Sequence, residues 1–291
     1  MSTAEVTLPA RRHRQSALAR AWAFVKRHAL TVYSLLFFAY LMLPIGVVIA
    51  FSFNNPKGRF NYTWQGFTFK NWQQWNAIPN LQSAITLSLE IALIASLVAT
   101  ALGTLIALAL VRYGFRGRGS TNLLVFLPLS TPEIVLGASL ATLFLNSTSL
   151  HFNIQFGFWT ILVAHVMFCI SFAVVTVKAR LIGFDRHLEE AAMDLGANEW
   201  ATFRKVTLPL IAPAILASML LCFAVSVDDF VVTYFNAGPR VTFPVFVWNS
   251  ARVGAPPQVN VIGSVIFIVA VTGMIANVLV QIRRQRSTST A

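Results

Sequence analysis

The sequence predicts an all-α integral membrane protein with six transmembrane helices and both termini in the cytoplasm. Three observations carry this. Of 291 residues, 56% are hydrophobic and only 11% are charged, against roughly 25% charged in an average soluble domain. Six segments have, or nearly have, the length and apolarity to cross a hydrocarbon core, which takes about 20 residues of helix. The basic residues crowd into alternate loops. A formal charge of +12 on a largely apolar chain excludes disorder and acidic-tail readings. A basic chain can address nucleic acid or a membrane, and the position of the charges chooses between them.

The spans follow in order. Ala29 to Phe53 carries no charge; it starts too late and runs too long for a cleaved signal peptide, so it is read as retained. Leu81 to Val111 holds only Glu90, and Thr121 to Leu145 only Glu133. Phe156 to Val177, Leu208 to Val227 and Val259 to Ile282 hold no Asp, Glu, Lys or Arg. Pro209 and Pro213 sit near the start of the fifth span, where a missing N–H is tolerated.

Seventeen of the 22 basic residues lie in the tail before span one (Arg11, Arg12, Arg14, Arg20, Lys26, Arg27), the second loop (Arg112, Arg116, Arg118), the fourth loop (Lys178, Arg180, Arg186, Arg204, Lys205) and the C-terminal tail (Arg283, Arg284, Arg286). The alternate loops hold Lys57, Arg59, Lys70, Arg240 and Arg252. The positive-inside rule puts both termini in the cytoplasm. It also accounts for the charge without nucleic acid: the basic tail is either a solvated topogenic tail or touches membrane lipid headgroups. The chain divides into a basic tail (1–28), a first helix with an outer loop (29–80), a membrane core (81–282) with a cytoplasmic loop at 183–207, and a C-terminal tail (283–291). Cys169 and Cys222 lie inside apolar runs, without metal-site spacing.

The fourth loop has a helical pattern of its own. Leu188, Ala191, Ala192 and Leu195 fall at i, i+3, i+4 and i+7, one narrow apolar stripe. Asp185 can cap its start and Gly196 close its end. A second short helix is expected from Asn198, carrying Trp200 and Phe203 toward Val206, before Leu208 and Pro209 begin span five. Periodicity alone leaves open whether this knob folds against its own span ends or against a partner.

Glu190-Ala191-Ala192, three residues, Gly196, nine residues, then Val206-Thr207-Leu208-Pro209 resembles the EAA signature of the membrane subunits of binding-protein-dependent ABC importers, with Val206 where isoleucine is commoner. Gly157-Phe158-Trp159, Ala164-His165, Phe168-Cys169, Ser226-Val227-Asp228-Asp229-Phe230 and Gly238-Pro239 are similar to the spermidine and putrescine branch of that family. The resemblance implies the type I ABC importer permease fold, placed in the bacterial inner membrane. It further implies a coupling helix, with Glu190, Ala191, Ala192, Gly196, Leu208 and Pro209, that docks on an ATP-binding subunit present in two copies. A second homologous permease subunit and an extracytoplasmic solute-binding protein complete the set of partners it implies.

The charges near the bilayer are weighed separately. Asp228 and Asp229 end span five, where two anions oppose the helix dipole. A cationic solute offsets them, or they lie on a water-exposed rim, or Asp229 caps a following short helix at Phe230. Glu133 follows Pro132, where it either faces a cavity or accepts hydrogen bonds freed by the proline. The resemblance to the polyamine permeases marks Ser226, Asp228, Asp229 and Glu133 as the substrate path. Glu90, near mid-membrane, departs from that family's pattern, and a pairing with a basic or hydroxyl group of a neighbouring helix is expected. His165 reads as a satisfied interhelical hydrogen-bonder. Trp64, Trp72, Trp75 and Trp248 suit an interfacial belt or a docking surface equally.

No phosphate-binding loop, His-Glu metal motif or nucleophile elbow occurs. No catalytic role and no resident cofactor or metal is therefore expected; ATP and Mg belong to the partner ATPase. A stand-alone secondary transporter using Glu90 and Glu133 is the competing reading, and it would show two related halves with matching broken helices. A membrane-embedded enzyme lacks a catalytic constellation.

Overall fold

The computed structural model describes residues 17–58, 60–146 and 154–288; Arg11, Arg12, Arg14 and Arg59 lie outside them. The described residues form twelve helices: α1 (Ala17–Ser52), α2 (Lys70–Gln73), α3 (Leu81–Arg112), α4 (Arg118–Ser130), α5 (Glu133–Leu145), α6 (Phe158–Ile182), α7 (His187–Asp194), α8 (Glu199–Thr202), α9 (Leu208–Asp228), α10 (Val231–Asn236), α11 (Phe243–Val253) and α12 (Pro257–Thr288). Five helical stretches are long and apolar enough to cross a membrane, and α4 with α5 forms a sixth only if a pair bent by 109° counts as one span.

That bent pair puts the break of the third span, read over Thr121 to Leu145, at the proline the sequence places before Glu133. Thr131 and Pro132 interrupt the helix. A proline disfavours helical geometry in the residue before it, and Thr131 is extended at φ −86°, ψ 133°. The fifth span differs from its expected start. The helix opening at Asn198 does not stop before Leu208; α8 runs through a π-helical turn at Phe203–Thr207 straight into α9. Pro209 has no N–H to return to the carbonyl four residues back, and the Leu208 N–H reaches Phe203 O instead, which absorbs one extra residue without breaking the axis.

Two compact units are present, one holding α1, α2 and α12 and the other running from Asn76 to Ala255. In the first, α1 packs along α12, and the segment after α1 is tied by asparagines. Asn54 Nδ2 donates to Asn61 Oδ1 at 2.6 Å, Asn61 Nδ2 to Phe51 O at 2.9 Å, and Asn71 Nδ2 to Asn54 O at 2.7 Å. Phe53 stacks on Phe67 and Trp72, and the Trp72 indole donates to Ser52 Oγ at 3.1 Å. Trp72, which could equally be read as interfacial belt or docking surface, is thus part of a folded cap on α1.

The second unit is built on α3, α6 and α9. One face of α3 is lined with small buried residues, Ala95, Ala99, Gly103 and Ala107, at every fourth position. Where lipid offers as apolar a surface as protein does, close packing rather than hydrophobicity draws helices together, and small side chains allow it. Gly103 shows how close: a Cβ there would stand 2.5 Å from the Ala173 Cβ of α6. Ile211 of α9 joins Ala107, Leu110, Val174, Val177 and Leu181 in the neighbouring apolar cluster.

Candidate functional site

The knob between α6 and α9 is shaped by its caps. Asp185 Oδ1 accepts the His187 backbone N–H at 3.1 Å and faces the His187 ring Nδ1 at 2.7 Å. The histidine hydrogen bond holds the Asp185 carboxyl below its usual range and raises the His187 imidazole in return. At the other end Gly196 N donates to Met193 O at 2.9 Å and Ala197 N to Ala192 O at 3.1 Å, the paired bonds of a Schellman closure. Gly196 sits at φ +87°, a conformation a side chain resists. Asn198 then caps α8, its side chain accepting the Ala201 N–H at 2.8 Å. Both capping residues and the closing glycine are therefore where the sequence places them.

The two faces of α7 differ. Glu190, Ala191 and Leu188 are exposed, Ala192 is half-buried, and Leu195 is 90% exposed. Trp200 on α8 is 68% exposed and stacks on Phe203. The apolar stripe thus points away from the rest of the chain. The opposite face is anchored by Glu189, whose Oε1 takes the Arg112 guanidinium at 2.6 Å and also accepts the Thr207 hydroxyl. Arg112 ends α3 and lies 5.2 Å from the Phe184 ring centre; Arg186 adds a bond from Nη2 to Val111 O at 3.2 Å. One carboxylate therefore joins the knob to α3 and to the root of α9. Sequence reasoning passed over Glu189 for its neighbour Glu190, because its partners stand 77 and 18 positions away. Leu208, half-buried, and exposed Pro209 begin α9 beyond the π-helical turn.

A second polar assembly lies inside the helix core. His165 of α6 is 3% exposed; its Nδ1 meets Ser226 Oγ of α9 at 2.6 Å, and its Nε2 meets Thr233 Oγ1 of α10 at 2.8 Å and Asp229 Oδ2 at 3.3 Å. Asp229 accepts the backbone N–H groups of Val232 at 3.3 Å and Thr233 at 2.8 Å, and the Thr233 hydroxyl at 2.8 Å. It is the cap of α10, one of the roles left open for it. Its backbone turns extended at φ −63°, ψ 119°, which ends α9 and starts α10 in a new direction. Asn236 Nδ2 donates to Gly137 O of α5 at 3.2 Å, and Thr160 Oγ1 of α6 to Asn236 O at 2.7 Å. α10 is thereby fixed to α5, α6 and α9.

The four residues marked for the substrate path separate into two groups. Ser226 and Asp229 share the buried histidine network. Asp228 and Glu133 are exposed, and among the described residues neither makes an ion pair. Glu133 occupies the first turn of α5, where a carboxylate is favoured by the helix dipole. Glu90 is exposed on α3 and, among the described residues, has no ion-pair partner; the pairing expected for it is absent there. Trp248 packs on Phe230 and under the Arg252 guanidinium at 4.8 Å.

With this geometry in hand, the likeness to known proteins is specific. Residues 99–288 match the model of the family described as binding-protein-dependent transport system inner membrane component. The chain is 39% identical over 244 residues to the spermidine/putrescine transport system permease protein PotC of Escherichia coli (strain K12), covering 84% of this chain and 90% of that protein. It is 37% identical over 246 residues to the putrescine transport system permease protein PotI of the same strain, covering 83% of this chain and 87% of that one. In structure it resembles a chain of a bacterial ABC transporter involved in the import of alginate, with a TM-score of 0.64 at 17% identity, over 89% of this chain and 98% of that one. A chain of an amino acid ABC transporter gives a TM-score of 0.53 at 16% identity, over 76% and 100%; both establish the fold alone. The chain belongs to the family of inner membrane components of binding-protein-dependent transport systems, in the branch of the spermidine and putrescine permeases, and is a permease subunit of an ABC importer.

Proposed function

We propose that this permease subunit forms, with a second permease subunit, the translocation path for a polyamine, putrescine or spermidine, handed over by an extracytoplasmic binding protein. Its six spans, the bent α4–α5 pair counted as one, leave both termini in the cytoplasm. A separate ATPase, present in two copies and carrying the ATP and Mg, docks on α7 from the cytoplasmic side. The observation that carries this is the two-faced knob: an outward stripe with Leu195 90% exposed, backed by Glu189 holding Arg112 at 2.6 Å. A surface that offers small and apolar groups beside Glu190 suits a protein groove, and the anchored face passes its displacement to α3 and α9. The path itself is supplied with carboxylates, Asp228 and Glu133, that suit ammonium groups.

The substrate reading is tested by ATP hydrolysis in the reconstituted importer. Binding protein loaded with spermidine or putrescine is expected to raise turnover severalfold over empty binding protein, and Asp228→Asn to remove much of that rise. Equal turnover in Asp228→Asn, or stimulation by an uncharged solute alone, would move the assignment to another substrate class.

A further inference from the structure

Glu90 has no ion-pair partner among the described residues, but it does have polar surroundings. It lies about 14 Å along α3 from Leu81 and about 33 Å from Arg112, at the usual rise of a helix. Gln82, Ser83 and Thr86 share its exposed face. The opposite face of α3, with Ala84, Ser88, Ile91 and Ala92, is buried. Together with Leu87 and with Arg240 from the loop between α10 and α11, these residues line one open recess of ≈ 290 Å³, close to the lower end of the ~300–1,000 Å³ of small-ligand clefts. Ser88 Oγ accepts the Phe243 N–H at 2.8 Å, which fixes the loop carrying Arg240 against α3. Glu90 and Arg240 therefore face one cavity with opposite charges and, among the described residues, form no ion pair.

A carboxylate at this depth cannot be left against lipid without a large cost; it belongs to a wet cavity or to a cationic partner. Hydroxyl and amide groups on the same helix face supply the wet surroundings. Arg240, lining the same recess, supplies the neighbouring cation.

We propose that Glu90 is an ammonium-binding residue of the transport path, in a recess bounded on its other side by Arg240. The inference rests on the polyamine reading above and adds to it a named contact on α3. An extended amine with a charge at each end can occupy the recess with one ammonium on Glu90 and the other directed away from Arg240. A neutral solute gains nothing from the Glu90 charge.

The test uses the full importer, its ATPase, second permease and amine-loaded binding protein included, in proteoliposomes. Labelled polyamine taken up per ATP hydrolysed is measured with the loaded binding protein saturating. Glu90→Gln is expected to lower this ratio about tenfold, equivalent to about 1.4 kcal/mol, and Glu90→Asp to retain most of it. The charge-swapped variant, Glu90→Arg with Arg240→Glu, is expected to stay as deficient as Glu90→Gln, because it keeps a pair but takes the anion off α3. Restoration by the swap would make the two residues a structural ion pair and overturn the proposal. So would a wild-type ratio in Glu90→Gln, or a loss traced to failure of the second permease to co-purify. A wild-type importer that moves no polyamine would instead remove the reading on which the inference rests.

Discussion

Glu189→Gln is expected to cut ATP-driven uptake by tenfold or more while the ATPase still co-purifies with the permease. The side chain that is changed does not belong to the docking face. It holds the Arg112 guanidinium at 2.6 Å and takes the Thr207 hydroxyl, so it connects α7 to two membrane helices that pack on one another. Glutamine keeps the size and a carbonyl for Thr207 but gives up the charge that makes the Arg112 contact strong; hydrogen bonds to charged groups are worth about 1.5–3 kcal/mol, and one of them is enough to decide whether a short helix moves with its neighbours or slides. ATP hydrolysis should continue and lose its coupling to solute. Glu190→Ala in the same assay is expected to do the reverse, weakening co-purification because Glu190 is on the exposed face. Normal uptake in Glu189→Gln would show that the anchor is dispensable.

The second large effect is expected in the buried network. His165→Leu leaves Asp229 with its ring partner removed, and Asp229→Ala leaves α10 uncapped and the ring unsatisfied. Leaving a buried polar group without its hydrogen-bond partner costs about 1–3 kcal/mol, and the cap adds about 1 kcal/mol to the second variant. Both variants should therefore unfold or lose monodispersity in detergent at clearly lower temperature than the wild type, with Asp229→Ala the lower. A wild-type transition in Asp229→Ala, accompanied by loss of polyamine uptake, would contradict the structural role and return Asp229 to the substrate path.

What the sequence reveals and what it hides follow from the range of the forces involved. Apolar runs and loop charges are local, and they place the spans to within a few residues, except where Pro132 bends α4 into α5 and Pro209 draws α8 into α9. The caps of the knob are local as well: Asp185, Gly196 and Asn198 act on backbone within four residues. The stripe of Leu188, Ala191, Ala192 and Leu195 is legible because its spacing is a helix period, and three of the four are exposed. Glu189 is hidden because its meaning comes from Arg112 and Thr207, brought beside it only by packing. The same holds for Asp229, whose neighbour Asp228 carries the same charge and an opposite exposure; a single extended residue at the end of α9 separates a buried cap from an open carboxylate. His165 could be read as a hydrogen-bonder from its apolar surroundings, but not with three partners from α9, α10 and the turn between them.

The central claim is that the path in this chain is moved from outside, through α7, by an ATPase. Uptake of labelled polyamine into proteoliposomes tests it most directly, comparing this permease with its second permease alone, with ATPase and ATP added, and with ATPase and a non-hydrolysable nucleotide. Uptake against a gradient is predicted only where ATP is hydrolysed and loaded binding protein is present outside. Sustained uptake by the permeases alone, driven by a proton or ion gradient, would contradict it.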